Sequence, residues 1–394
     1  MTLRFLTAGE SHGPALTAIL DGIPAGLPLT RELIDRDLAR RQRGYGAGPR
    51  MALEHDSARL LGGVMEGLTT GAPLSILIEN QDHSRWRGRA VKAFTVPRPG
   101  HADLAGAVKY GHNDLRPVLE RASARETAAR VAVGAVCRQL LAAFGIRVEG
   151  YVSAIGRISA DLAAIPLEER AVRAAESAVA CPDEAASAVM QAAIDQAMQE
   201  RDTLGGVIEA AAFGLPPGLG AYAQWDRRLD ARLGAALLSI PAVKGIEIGP
   251  AFENAALRGT QVHDPIALNG SSLLRSGQRS GGLEGGVTTG QPLWVRAAVK
   301  PIPTTLTPQN SVDLAGGAEV QTNYERSDFC PVPRAVVIVE GMMAFVLADA
   351  LLEKLGGDSL AEMLPRFQAL RRASLDHLRL AGGEHIFWPE GDTP

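Results

Sequence analysis

Apolar residues in this chain fall into short runs of strand length, set between glycine-rich turns, and into a few longer helical stretches. Leu3, Phe5 and Leu6 open it with strand character, and residues 74–78, 207–213, 293–299 and 336–339 are further apolar runs that predict strands. Residues 163–201 are alanine-rich and predict helix, broken at Cys181-Pro182-Asp183 because proline ends one helix and can begin the next. Residues 342–355 are apolar almost all round and stop at Gly356-Gly357, which predicts a buried helix closed by a glycine cap. Ser123 and Glu126 stand at capping-box spacing, so Ser123 is expected to open a helix that runs to Phe144 and stops at Gly145. Strands and helices do not alternate as a doubly wound parallel sheet requires. The expected fold is therefore α+β, with antiparallel sheets and helices layered on them.

The pattern also repeats. Residues 62–74 read GGVMEGLTTGAPL and residues 281–293 read GGLEGGVTTGQPL. Gly13 begins a run ending in Gly22-Ile-Pro-Ala-Gly-Leu27, and Gly205 begins one of the same length ending in Gly214-Leu-Pro-Pro-Gly-Leu219. Glu120-Arg121-Ala-Ser and Glu325-Arg326-Ser-Asp each precede a helical stretch. Three matches in one order predict two related lobes, 1–150 and 201–360, with a helical insert at 151–200 and a C-terminal helix and tail at 361–394. Such lobes pack face to face, and the cleft between them is a favoured place for a ligand.

Composition narrows the function classes. With 46% hydrophobic and 21% charged residues the chain is ordinary for a globular protein, and its net charge of −4 argues against a general nucleic-acid binder. Cys137, Cys181 and Cys330 are widely spaced, without a CxxC pair, which suits a reducing compartment and argues against a zinc site; no metal is expected. No signal-peptide core and no run of about 18 uninterrupted apolar residues is present, so a cytoplasmic protein without a membrane partner is expected. Arginines crowd two stretches, Arg36 to Arg50 and Arg85 to Arg98. Such clusters are commonly solvated faces, but they also focus a positive field on a small anion. No GxGxxG follows a strand in a βαβ setting, which excludes a Rossmann dinucleotide site, and no Walker-type loop is present.

Four polar clusters carry candidate chemistry. Gly9-Glu10-Ser11-His12-Gly13 sets a hydroxyl, an imidazole and a carboxylate between glycines that permit a tight turn, and a histidine there can move a proton near neutral pH. Arg98-Pro99-Gly100-His101-Ala102-Asp103 presents a second imidazole beside an arginine suited to an anionic leaving group. Arg121, Ser123 and Arg125 flank a helix start whose free amides favour an anion. Lys300-Pro301-Ile302-Pro303-Thr304 is extended by its prolines, and Arg326-Ser327-Asp328 follows it. Each alone is also compatible with an ordinary turn, cap or loop.

Together GESHG with PALTAILDGIPAG, RPGHAD, ERASARETAARVAVGA, GGLEGGVTTG, KPIPT and ERSD resemble the chorismate synthase family, in the family's order, from residue 3 to about residue 360. The resemblance implies a β-α-β sandwich, usually a homotetramer. It implies a lyase that converts 5-enolpyruvylshikimate 3-phosphate to chorismate, the last step of the shikimate pathway toward aromatic amino acids. Reduced FMN is required although the reaction has no net redox change. A separate flavin reductase supplies it in some members, and NADPH serves as reductant in others. By resemblance His12 matches the histidine that protonates the reduced flavin, His101 the one that assists the departing phosphate, and Asp328 with Ser11 the pair that relays the proton at the flavin's N5. Arg41, Arg98, Arg125 and Arg326 match substrate-binding arginines. Arg121, Ala122, Ser123, Pro241, Ala242, Gly285, Lys300, Pro301, Ile302, Pro303, Thr304 and Arg326 match flavin contacts.

Some positions depart from the family. Where it usually has an arginine after Gly44-Tyr45-Gly46, this chain has Ala47, followed by Gly48-Pro49-Arg50. Gly277-Gln278 replaces the usual Thr-Asn, and the segment from Asn80 to Arg98 is shorter than typical. The departures keep a second reading open, a diverged flavin-binding relative with another substrate or no turnover. A flavin- or anion-binding regulatory protein is a third.

Overall fold

The computed structural model describes residues 2–47, 55–324, 327–378 and 380–387. Its first sheet sets β1 (Arg4–Ala8), β2 (Ala15–Asp21), β6 (Leu74–Glu79) and β3 (Ala58–Gly62) side by side, each pair antiparallel. The second sets β10 (Val243–Ile248), β15 (Leu293–Val299), β9 (Gly206–Phe213), β7 (Arg147–Ile155) and β8 (Ile158–Ser159) in that order, again antiparallel. Short hairpins project from them: β4 (Val64–Met65) with β5 (Leu68–Thr69), β11 (Ile266–Asn269) with β12 (Ser272–Arg275), β13 (Leu283–Glu284) with β14 (Val287–Thr288), and β16 (Asn310–Asp313) with β17 (Ala318–Gln321). Alternate residues on β2 and β6, such as Leu16, Leu20, Leu74, Ile76 and Ile78, are buried, as a sheet covered on one face requires.

Helices fill the space between the sheets. α1 (Arg31–Gln42) and α5 (Thr127–Ala142) pack on the first sheet, while α8 (Leu229–Leu238) and α11 (Val332–Leu355) pack on the second. α5 and α11 meet in the middle, where a Cβ on Gly134 would lie 2.3 Å from the Gly341 Cα, so the two backbones touch. This is the expected β-α-β sandwich. α2 (His83–Trp86), α3 (Asp103–Tyr110) and α4 (Arg116–Arg121) lie between β6 and α5 in the chain. α6 (Leu167–Ala174) and α7 (Glu184–Gln199) follow β8, and Asp183 caps α7 where the break at Pro182 was expected. α9 (Ala251–Ala255), α10 (Gly259–Val262) and α12 (Leu360–Gln368) complete the helices labelled here.

The sequence repeat has a structural counterpart. The order β1-β2-β6-β3 in one sheet is matched by β7-β9-β15-β10 in the other. Thr69 donates its hydroxyl to the Pro24 carbonyl and accepts the Leu27 N–H; Thr288 does the same with Pro216 and Leu219. β7 runs across the division expected at 150 and lies in the second sheet.

One expectation is overturned. Residues 336–339, read as a strand from their β-branched run, lie inside α11. Strand preference amounts to a few tenths of a kcal/mol per residue here, whereas burying each valine or isoleucine between α5 and the second sheet is worth roughly 1.5–3 kcal/mol. By length and composition Val332–Leu355 could cross a membrane, with a mean hydropathy of 2.2, but 89% of that window is buried as the protein's core helix.

Candidate functional site

The turn between β1 and β2 carries the first cluster. Gly9 has φ +107°, and a Cβ there would lie 2.4 Å from the Ala15 carbonyl oxygen, so only glycine fits. The Asn80 amide donates to the carbonyls of Glu10 and Gly13 at 3.0 and 2.8 Å, tying the turn to the end of β6. Glu120, in the last turn of α4, holds it from the other side. Its carbonyl accepts the Ser11 N–H at 3.2 Å, and its carboxylate oxygens lie 2.8 Å from the backbone N and from the ring Nδ1 of His12. Burial by itself would raise the Glu120 carboxyl, but the His12 ring and N–H overcome it and hold it below the ordinary carboxylate value. The Trp86 ring lies 4.5 Å from that of His12, and His83 Nδ1 is 3.0 Å from the His12 carbonyl oxygen. A shallow recess of about 270 Å³ opens here, lined by His12, Trp86, Arg89, Arg116 and Glu120 among others. Ser11 is buried, with the Ser123 hydroxyl donating to its own at 3.2 Å.

The second cluster joins the two halves of the chain. The buried Arg98 guanidinium donates twice to Asp103, at 2.8 and 3.0 Å, and once to the Thr304 hydroxyl at 3.2 Å, and the Arg98 backbone N–H adds a third bond to Asp103. His101 Nδ1 lies 2.5 Å from Asp103 Oδ1, the same oxygen that accepts from Arg98 Nη2. Burial opposes ionisation of Asp103, yet His101 and Arg98 together hold its carboxyl far below the usual range. Lys300 donates to the Gly100 carbonyl, and a Cβ on Gly100 would lie 3.4 Å from Pro303. Burial, and then the nearby Lys244, lower the Lys300 ammonium from its ordinary value. Two cations that disfavour each other gain from an anion placed between them.

The third cluster is buried. Asp56 accepts from Arg125 at 2.6 Å and from Arg41 at 3.3 Å, and Arg125 also donates to Asn80 Oδ1 at 2.8 Å. Asn80 thus links this network to the His12 turn. Arg334, from α11, donates to the Arg41 carbonyl and to Asp328. Burial, with the guanidinium groups of Arg334 and Arg125 close by, pushes Arg41 down to about 9 against the pull of Asp56 and Asp328. An anion bound beside these arginines relieves that mutual repulsion.

The remaining expected residues are placed as follows. Arg121 donates to the Thr7 hydroxyl and carbonyl and to the Gly9 carbonyl. Ala122 and Ser123 follow it, and Ser123 accepts the Arg125 N–H. The capping box is not formed: the Glu126 side chain instead accepts from the Thr7 hydroxyl on β1 and from Arg130 one turn along α5. Arg130 continues to Ser239, just before Pro241 and Ala242, and the Ala242 carbonyl accepts the Lys300 N–H at 2.9 Å. This line of bonds leads from the first cluster's edge to the second. Ala242 holds φ +70°, unusual for a residue with a Cβ. Ile302 accepts from Thr203 through its carbonyl. Gly285 lies in the β13–β14 turn, where its nearest neighbour would be Tyr222, apart from these three clusters. Arg326 and Arg50 lie outside the described residues.

Glu120, Asp56, Asn80 and Arg334 were not singled out from sequence as site residues. Arg334, like Glu340, stood out only as a charge among the apolar first turns of α11, and Glu120 stood inside the ERASARET motif without a role of its own; Asp56 and Asn80 acquire theirs only from the contacts the fold brings together. Among the described residues no group of three or more His, Cys, Asp or Glu side chains could hold a metal ion.

The sequence profile of the family described as chorismate synthase matches residues 3–352. The chorismate synthase of Desulforudis audaxviator (strain MP104C) is 53% identical over 393 residues, covering 97% of this chain and all of the relative. That of Symbiobacterium thermophilum is 52% identical over 382 residues, covering 93% and 98%. A crystal structure of a chorismate synthase superposes with a TM-score of 0.78 at 44% identity, covering 94% of this chain and 97% of the other.

Proposed function

The chain belongs to the chorismate synthase family, and from that premise we propose how its residues carry out the family's reaction. The protein is a lyase that takes 5-enolpyruvylshikimate 3-phosphate to chorismate by a 1,4-elimination, with phosphate leaving carbon 3 and a hydrogen leaving carbon 6. The observation that carries this reading is the hydrogen-bonded meeting of Arg98 and His101, read as substrate residues, with Thr304 and Lys300, read as flavin residues, so that contacts for both ligands come together from the two halves of the chain.

In this reading Arg98 holds the departing phosphate and His101 supplies it with a proton. Asp103 keeps the His101 ring oriented through Nδ1. Arg41, Arg125 and Arg326 bind the substrate's anionic groups, and Arg41 gains from an anion because burial, and then Arg334 and Arg125, disfavour its charge. Asp328, with Ser11, relays a proton on the flavin side of the site, where His12 also holds one.

The residues present fit FMN. Lys300 beside Lys244 makes a cationic spot for its phosphate, and the Ala242 backbone beside Lys300, with the Pro301–Ile302–Pro303 segment, presents a stiff edge for a flat ring system. Arg121, Ala122, Ser123, Pro241 and Thr304 extend that set, whereas Arg326 lies outside the described residues and Gly285 lies apart from the three clusters, so neither adds to the fit. When bound in reduced form, FMN supplies electron density that makes loss of phosphate feasible without net oxidation. A cytoplasmic homotetramer fed by a separate flavin reductase, with NADPH as the ultimate reductant, completes the proposal. Its test is phosphate release from 5-enolpyruvylshikimate 3-phosphate under anaerobic conditions. Release with dithionite-reduced FMN and none with oxidised FMN is expected; release that ignores the flavin's redox state rejects it.

A further inference from the structure

We propose that Glu120 is a positioning residue for His12, fixing the imidazole with its proton on Nδ1, so that His12 exchanges protons with bound ligands through Nε2. This rests on the reading of His12 given above.

The geometry leaves little choice. One carboxylate spans two atoms of one residue, with Oε2 2.8 Å from the His12 backbone N and Oε1 2.8 Å from its ring Nδ1. An ionised carboxylate only accepts hydrogen bonds, and a backbone N–H only donates. The ring must therefore donate from Nδ1, which fixes the tautomer and commits that nitrogen. Glu120 is ionised at neutral pH, since His12 holds its carboxyl below the ordinary value despite burial. The pair is largely sheltered, with 20% and 13% of the two side chains exposed, so water does not readily replace either partner. The Glu120 carbonyl also takes the Ser11 N–H, so one residue sets the backbone on both sides of the Ser11–His12 bond. Trp86 then limits rotation of the ring, and its own Nε1 is anchored to Asp82 at 3.1 Å.

The substitution Glu120→Gln separates positioning from mere support. The amide offers one acceptor oxygen and one donor NH2 where two acceptors stood. The backbone N–H takes the oxygen, the NH2 faces the ring, and Nδ1 becomes the acceptor. Glu120→Asp keeps both acceptors on a shorter arm. The full chain is labelled with ¹⁵N-histidine, and the His12 signals are read without substrate, beside turnover with reduced FMN. For Glu120→Gln we expect His12 to move from the Nδ1–H to the Nε2–H pattern. We expect kcat to fall on the order of 100-fold, the lower end of a general acid's contribution, with KM and FMN affinity little changed. Glu120→Asp is expected to keep the Nδ1–H pattern and recover most of kcat. An unchanged His12 pattern in Glu120→Gln overturns the proposal, as does a flipped pattern with undiminished kcat. A parallel loss of FMN affinity and kcat in both variants also overturns it, since that marks a support for the loop only. Absence of turnover in the unsubstituted protein rejects the functional reading instead, and the spectra still decide the tautomer.

Discussion

His101 is both a turn histidine bonded to Asp103 and the imidazole nearest the cations that suit a phosphate, and the two roles are compatible. Replacing it with alanine leaves the Arg98–Asp103 pair and the Lys300 segment in place. His101→Ala is therefore expected to lower kcat by about 100-fold or more while FMN binding, followed by titration, survives. Ala47 is half-buried beside Gly46, whose carbonyl accepts the N–H groups of Phe329 and Cys330. Ala47→Arg supplies the cation that the family resemblance leads one to expect there, and one charge-assisted contact worth ~1.4 kcal/mol would lower the substrate KM about tenfold. An unchanged KM would mean that Arg43 or Arg50 already fills the role. His12 and His101 could be picked out as candidates in sequence because glycine and proline turns present them, whereas Arg41 and Arg125, inside helical segments, became candidates for the substrate only through the family resemblance. Glu120, Asp56 and Asn80 were not legible in sequence, because a carboxylate or amide reveals its partner only once β6, α4 and the His12 turn are brought together.

α11 shows what local pattern reading misses and what it catches. Its C-terminal half and its glycine stop were legible from the all-round apolar run, but its first turns read as strand, since β-branched residues signal a sheet until a second layer is known to cover them. Its contact with α5 is tight at one point. A Cβ on Gly134 would meet Gly341 backbone at 2.3 Å, whereas one on Gly341 would meet Gly134 at 3.3 Å. Gly134→Ala must push the helices apart and is expected to cost about 3 kcal/mol or more, and Gly341→Ala distinctly less, measured by urea unfolding. Beside that crossing Glu340, buried in α11, accepts from Arg40 on α1, Arg138 on α5 and the Gly150 N–H on β7. Glu340→Ala leaves buried donors without their acceptor. It is expected to cost about 3 kcal/mol, the low end for breaking a buried pair, because Arg40 can turn toward water.

At the scale of the whole molecule the repeat explains why the site has contributions from both halves. Two sheets of the same strand order face each other across four helices, and His12 and His101 come from one half while Lys300 and Asp328 come from the other. The repeat was legible in the paired GG–TTG–PL segments, whose threonines make the same hydrogen bonds in both halves. The expected division at 150 came from where those motifs stop, whereas strand pairing carries β7 across it. Asp103 and Glu120 tie loops of the site to the frame, and both have carboxyls held below their ordinary values. Their stabilisation is complete above the unfolded value near about 4 and is lost as pH falls through the lower folded values. Urea midpoints are therefore expected to drop below about pH 4, with a shallower drop in Asp103→Asn. The most direct test of the account is anaerobic turnover with reduced FMN, quantifying chorismate and phosphate together for the unsubstituted protein, His101→Ala and Asp328→Asn. The account predicts equal amounts of the two products from the unsubstituted protein, and rates reduced by about 100-fold or more in both variants with FMN binding retained. Undiminished turnover in either variant, or FMN binding without any chorismate from the unsubstituted protein, would contradict it.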